Sequence, residues 1–299
     1  MIRVGTCSWT ERTLIESGEF YPPHVTSAEG RLRYYAARFD TVEVDSVYYA
    51  IPDRKTAWLW DVRTPPGFTF HIKTFGALTG HGINPKGLPR DLRTQEMASA
   101  EGKSVYVKDR ALLGLIASRL RQSLEPLYHA GKLGLTVFQY PPWFTFSTRN
   151  LDYILSCREW MDGFPMAVEF RHGSWLTPER RGEVLRFLDG HGLTYISADE
   201  PQYGNLSTVP FVPAVTGDTA YFRLHGRNRE NWLKKGVETS LRYAYLYSDE
   251  ELQGFIPPIK ETAARSRTTY VMMNNCYGGF AVRNAARIKE LLGTEGAGG

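Results

Sequence analysis

Short runs rich in valine, isoleucine, phenylalanine and tyrosine recur down the chain, separated by longer stretches whose apolar residues fall three and four apart. The runs predict eight strands, over residues 2–9 (IRVGTCSW), 41–49 (TVEVDSVYY), 68–74 (FTFHIKT), 133–140 (LGLTVFQY), 166–172 (MAVEFRH), 193–199 (LTYISAD), 219–225 (TAYFRLH) and 268–275 (TTYVMMNN). Stretches such as EGRLRYYAARF, KDRALLGLIASRLRQSLEPLYHAG, TPERRGEVLRFLDGHG and AVRNAARIKELLG predict amphipathic helices. Eight strand-then-helix units predict an α/β protein with a TIM-type (β/α)8 parallel barrel rather than an open sheet. The expectation is one domain over residues 1–293, with 294–299 a flexible tail. Two connections exceed ordinary turns, residues 76–106 after the third strand and 226–258 after the seventh. In such a barrel, loops that follow strands line the active face, so both are lid candidates.

Strand side chains alternate between two faces, so polar residues spaced by two at strand ends share a direction. The second strand offers Glu43 and Asp45, the third His71 and Lys73, the fourth Gln139, and the fifth Glu169 and Arg171. Asp199 follows on the sixth, Arg223 and His225 on the seventh, and Asn274 on the eighth. The intervening Val42, Val44, Phe70, Ile72, Val168, Phe170, Phe222 and Leu224 are apolar and suit the outer helices, which turns the polar set into the lumen. Any one acid–base pair is explained by a buried structural ion pair. The whole set is harder to explain that way, because a barrel centre can be filled with branched apolar residues at far lower desolvation cost.

Glu43, Glu169 and Asp199 are the candidates for general acid or base work. Lys73, Arg171 and Arg223 can clamp a phosphate or carboxylate, with Gln139, His225 and Asn274 as further substrate contacts. A metal held by Glu169, Asp199 and His225 is the alternative, weighed against by the neighbouring cations and the neutral amide of Asn274, so neither metal nor cofactor is expected. Trp9, Trp143, Trp175, Trp232, Tyr48, Tyr49 and Tyr245 stand near the mouth, where they can stack on a ligand or pack beneath loops. Gly278 and Gly279 precede the last helix, a place where barrels hold phosphate or simply turn. The segment RLHGRNRENWLKKG mixes bases with Trp232, as nucleic-acid binders and ordinary solvated loops both do.

Composition narrows the classes. Hydrophobic residues make up 42% and charged residues 23%, the mix of a soluble globular protein, and no apolar run reaches the roughly 20 residues of a membrane span. No secretory signal pattern opens the chain, so the expected location is the cytoplasm. Three cysteines, far apart, argue against a disulfide framework or zinc site. The net charge of +4 permits an acidic ligand without marking a nucleic-acid tail, and no protein partner is implied.

The motifs VGTCSW, VEVDSVYY, FHIKT, QYPPWF, VEFRHGSW, SADEP, YFRLHGRN with the following Trp232, RYAYLYS and MNNCYGGFAVRNA occur in this order over the whole chain. In them the chain resembles the domain of unknown function 72 family, a widespread set of bacterial and archaeal barrel proteins. The resemblance implies a TIM-type barrel whose mouth is built from these segments, with Glu43, Lys73, Glu169, Arg171, Asp199, Arg223, His225 and Asn274 in its pocket. VEVDSVYY departs from the family, whose members more often read closer to Asn-Ser-Thr-Phe-Tyr, and Asp45 there adds a carboxylate. The family barrel is similar to those of xylose isomerase-like enzymes and metal-dependent apurinic endonucleases, which implies sugar isomerisation or phosphodiester cleavage by analogy. The dense ligand set of the endonucleases is missing here, with seven histidines in all. The leading expectation is an enzyme acting on an anionic, phosphorylated or nucleotide-like substrate, small or polymeric, by acid–base chemistry. The alternatives are a non-catalytic nucleic-acid-binding module and a metal-dependent sugar isomerase, epimerase or phosphodiesterase.

Overall fold

The computed structural model describes residues 1–99 and 103–293, so the expected tail over 294–299 lies outside the described residues. Eight parallel strands close on themselves: β1 (Ile2–Thr6), β2 (Thr41–Val44), β3 (Thr69–Lys73), β4 (Leu133–Gln139), β5 (Met166–Glu169), β6 (Thr194–Asp199), β7 (Thr219–Leu224) and β8 (Thr268–Met273). Closure comes from β8 lying beside β1 in register from Ile2 opposite Thr269 to Thr6 opposite Met273. The chain is thus a single-domain TIM-type barrel, as its strand pattern predicts.

Helices cover the outside: α1 (Ala28–Ala36), α2 (Arg54–Val62), α3 (Arg110–His129), α4 (Thr148–Trp160), α5 (Arg181–Gly190), α6 (Asp249–Ala264) and α7 (Phe280–Leu292). Their starts are written in the sequence: Ser27, Asp53, Asp109 and Ser147 each accept a hydrogen bond from a first-turn amide, and Ser248 with Glu251 forms a reciprocal capping box. The expected helix between β6 and β7 is absent. Residues 200–218 hold Pro201, Pro210 and Pro213, which remove amide donors and clash with a continuing helical turn, and Phe211 instead packs against Phe222 and Phe255.

Two separate apolar groups follow from strand alternation. Val42, Val44, Phe70, Ile72, Val168, Phe170, Phe222 and Leu224 face outward into the core beneath the helices. Cys7, Leu135, Val137, Ala167, Ile196, Tyr221 and Met272 fill the lumen floor. His71 belongs to that floor rather than to the mouth: its ring lies between Tyr221 and Tyr270, Leu135 donates its amide to Nδ1, and burial pushes its pKa down to about 3. Gly134 makes room for it, since a Cβ there would stand 2.7 Å from the His71 ring and from Thr69. With the floor packed by these side chains, the cavity opens at the C-terminal ends of the strands.

Candidate functional site

Several strands end earlier than the apolar runs suggest, and Asp45, Arg171, His225 and Asn274 stand on the first residues beyond the ladder. That position puts them at the C-terminal mouth. Arg223, fully buried on β7, is the hub: its Nη1 donates to Glu169 at 2.5 Å and its Nη2 to Glu43 at 2.6 Å. Glu169 on β5 also accepts from Gln139 at 2.8 Å, Arg171 at 2.9 Å and His225 Nε2 at 3.0 Å. Burial alone would raise the Glu169 pKa, but Arg223, His225 and Arg171 outweigh it and hold the carboxyl well below the usual range. Its lone pairs are therefore spoken for, and it is a fixed anion rather than a free base.

His225 is neutral, its pKa pushed down to about 3 chiefly by burial. Asn274 Nδ2 approaches Nδ1 at 2.8 Å, which assigns the Nε2–H tautomer donating to Glu169. Glu43 on β2 accepts from Tyr221 Oη at 2.9 Å as well as from Arg223. Burial, with Asp45 adding to it against Arg223 and Lys73, pushes Glu43 up to about 7. Asp45 Oδ1 is buried without a hydrogen-bond donor, and Arg223 Nη2 lies 3.9 Å away.

Above this layer opens a cavity of about 780 Å³. Lys73, Gln139 and Arg171 line it from the barrel side, and both long connections supply walls, through His81, Asn84, Lys86 and Ser104 from one and Thr239, Arg242 and Tyr243 from the other. Lys73 stands 4.6 Å from the Tyr48 ring centroid, and its ammonium makes no hydrogen bond or ion pair among the described residues. Burial works against its charge, yet Asp45 leads the neighbours that raise its pKa above the ordinary value, so it remains an ammonium. Arg171 spends Nη1 on Glu169 and sets Nε 3.2 Å from Glu200, while Trp232 packs under its guanidinium at 4.7 Å. Its Nη2 has no partner among the described residues. His81, missed in the sequence, is kept neutral by burial with Lys73 and Arg171 adding, which pushes its pKa down to about 4.

Several expected residues lie elsewhere. Asp199 sits on the outward row of β6, opposite Leu224, where Tyr247 donates to it at 2.6 Å and Arg227 grips both oxygens. The trio of the alternative metal reading, Glu169, Asp199 and His225, is therefore not brought together, and among the described residues no three His, Cys, Asp or Glu side chains gather as a metal site would. The inward acid on this strand end is Glu200, which accepts from the Val209 amide at 2.7 Å and is pushed up to about 7 by burial against the pull of Arg171. Trp175 is wholly buried, stacked between Phe144 and Phe170, and has no free face for a ligand. Tyr245 turns its hydroxyl to Glu251 and its ring to Tyr247, leaving Tyr243 as the wall residue. The Gly278 amide is taken by Thr13 Oγ1 at 2.7 Å, and Glu19 lies beside Gly279, so the chain itself fills that helix terminus.

Comparison with known proteins matches this architecture end to end. Over 301 aligned residues the chain is 31% identical to the UPF0759 protein YunF of Bacillus subtilis, covering 100% of this chain and 97% of that one. Two solved structures share the barrel: a DUF72 family protein of Thermotoga maritima (34% identity, TM-score 0.78, covering 98% and 99% of the two chains) and one of Enterococcus faecalis (25%, 0.79, 98% and 96%). No helix among the described residues is long and apolar enough to cross a membrane. The family model described as "Protein of unknown function DUF72" matches residues 3–298, and with it the strand-end motifs that build this mouth, so the chain belongs to the DUF72 family.

Proposed function

We propose that the chain is an enzyme acting on an anionic substrate, phosphorylated or nucleotide-like, bound in the mouth cavity. The observation that carries this reading is that Lys73 and Arg171 line the same space, and the Lys73 ammonium makes no hydrogen bond or ion pair among the described residues. Glu169 and Glu200 hold the Arg171 guanidinium in one orientation, so its free edge is preorganised for an oxyanion. Glu43, rather than the saturated Glu169, supplies acid–base capacity.

Pyrophosphate titration calorimetry tests the anion site. Lys73→Ala removes one charge-assisted contact worth about 1.5–3 kcal/mol, so affinity should fall roughly 10-fold to 100-fold while the fold stays intact. Unchanged affinity in Lys73→Ala and Arg171→Gln would sink the reading. A second reading, a nucleic-acid-binding module, draws on the exposed Tyr49, Tyr106 and Trp143 around the cavity, with Lys86 and Arg242 beside them. It requires single-stranded oligonucleotide affinity that falls steeply with salt.

A further inference from the structure

Seven charged groups crowd the base of the mouth. Lys73, Arg171 and Arg223 are its cations and Glu43, Asp45, Glu169 and Glu200 its carboxylates, while Lys86 and Arg242 add positive charge on the cavity wall. Four carboxylates gathered on three cations in that layer favour a retained proton. Glu200, pushed up to about 7 beside Arg171, is one place for it, and geometry points to a second. Glu43 already receives donors at both oxygens, from Arg223 and Tyr221, and the Arg223 Nη2 that it holds at 2.6 Å lies 3.9 Å from Asp45 Oδ1. Asp45 Oδ1 is buried with no hydrogen-bond donor. Two carboxylates beside one guanidinium nitrogen, one bearing a buried oxygen without a donor, are relieved when a hydrogen lies between them.

We propose that Glu43 and Asp45 hold one proton between them and act as a single acid–base couple, Asp45 exchanging protons with the bound substrate and Glu43 storing them. This rests on the anion-binding reading and names the proton-handling residues of that same site. Asp45 is the accessible member: its side chain is 29% exposed and close enough to Lys73 to dominate that residue's carboxylate neighbours, whereas Glu43 is sealed. In the exchange, Asp45 takes a proton from a C–H or O–H bond of the substrate. The electron pair of that bond stays on the substrate, beside Lys73, and the couple passes from one proton to two; the reverse step returns it. The groups facing Glu43 are Arg223 and Tyr221 from β7, Asp45 after β2, Lys73 and the neutral His71 from β3, and the buried thiols Cys7 and Cys276. The rise of Glu43 to about 7 under burial and Asp45 agrees with a proton retained at neutral pH.

The test is a carboxyl 13C NMR titration of side-chain-labelled protein, from about pH 4 to about pH 9, in wild type, Asp45→Asn and Glu43→Gln. Signals of both residues should report one shared near-neutral step in wild type. In Asp45→Asn the Glu43 midpoint should fall by about one unit or more, because a like charge has gone while burial is unchanged. Glu43→Gln leaves Arg223 short of an anion and can misfold; Asp45→Asn, isosteric and partly exposed, keeps the test decisive alone. A Glu43 midpoint indifferent to Asp45→Asn, or two independent midpoints in the ordinary carboxylate range, overturns the couple. Pyrophosphate calorimetry in two buffers of different ionisation enthalpy separates the linked ideas. Proton uptake on binding that vanishes in Asp45→Asn supports the couple at the cavity, and binding with no proton uptake near pH 7 in wild type counts against that assignment. No binding beside a shared NMR step defeats the anion reading and keeps the couple.

Discussion

Replacing Arg223 with methionine removes the guanidinium that joins β2, β5 and β7 while keeping an unbranched chain of similar reach. Each of its contacts, at 2.5 and 2.6 Å, is worth on the order of 6 kcal/mol of Coulomb energy at an effective dielectric near 20. Desolvating a guanidinium and two carboxylates costs several kcal/mol per ion, so the intact group sits near balance. The substitution does not: it leaves Glu43 and Glu169 buried and short of a cation, for which about 3–5 kcal/mol is expected. The sign with pH follows from the carboxyls. Without Arg223 the Glu43 pKa rises above its present value of about 7. A raised folded pKa means that the folded state holds a proton the unfolded chain has released, so stability is lost as pH climbs from the unfolded carboxyl value toward the folded one. Urea unfolding followed by tryptophan fluorescence and far-ultraviolet circular dichroism should therefore show the gap to wild type near its full value at pH 8. It should narrow by at least about 1 kcal/mol at pH 5.5. Adding Glu43→Gln to Arg223→Met should recover part of the loss. A cost below about 1 kcal/mol at pH 8, or a gap that ignores pH, would refute the view that these carboxylates depend on one buried cation.

Asp199→Asn should destabilise the barrel by about 1.5–3 kcal/mol through its bonds to Tyr247 and Arg227 and leave pyrophosphate affinity unchanged. Lost affinity at full stability would return Asp199 to the site. Gly134→Ala should cost about 1–3 kcal/mol, because the new methyl meets a His71 ring wedged between Tyr221 and Tyr270, and an unaltered melting temperature would contradict that packing.

The barrel is legible because each strand carries its own apolar run, and the lumen face is legible wherever one row of a strand is polar and the other is not. Glu43, Lys73, Glu169, Arg223 and His225 stand on strands of that kind. β6 does not offer the contrast: Tyr195 and Ser197 alternate with Ile196 and Ala198, both rows are buried, and nothing in the run sets which row faces in. Reading Asp199 as inward rather than Glu200 is a slip of one residue, and with period-two alternation one residue is a whole face. Trp175 fails for another reason. A tryptophan after a strand suits a ligand platform and a core equally, and only the neighbours Phe144 and Phe170, distant in sequence or hidden by the strand end, decide between them. The helix missing after β6 was readable in principle, since three prolines fall between Glu200 and Asp218.

What a charged residue can do at such a mouth depends less on its type than on how many of its bonds are already made. Glu169 looks like the natural base, central and flanked by cations, yet four donors converge on it and its charge is held by the fold. Arg223 and His225 are committed in the same way, to the carboxylates and to Asn274. The remaining valence lies in the cavity lining, at the Lys73 ammonium and beside it Arg171. The lower layer is costly in desolvation, and a hydrophobic plug would hold a barrel together as well. A polar foundation does what a plug cannot: Glu169 and Glu200 fix the angle of Arg171, and Arg223 holds Glu43 where it meets Asp45. The saturated groups orient, and the unsaturated ones are left to meet a ligand.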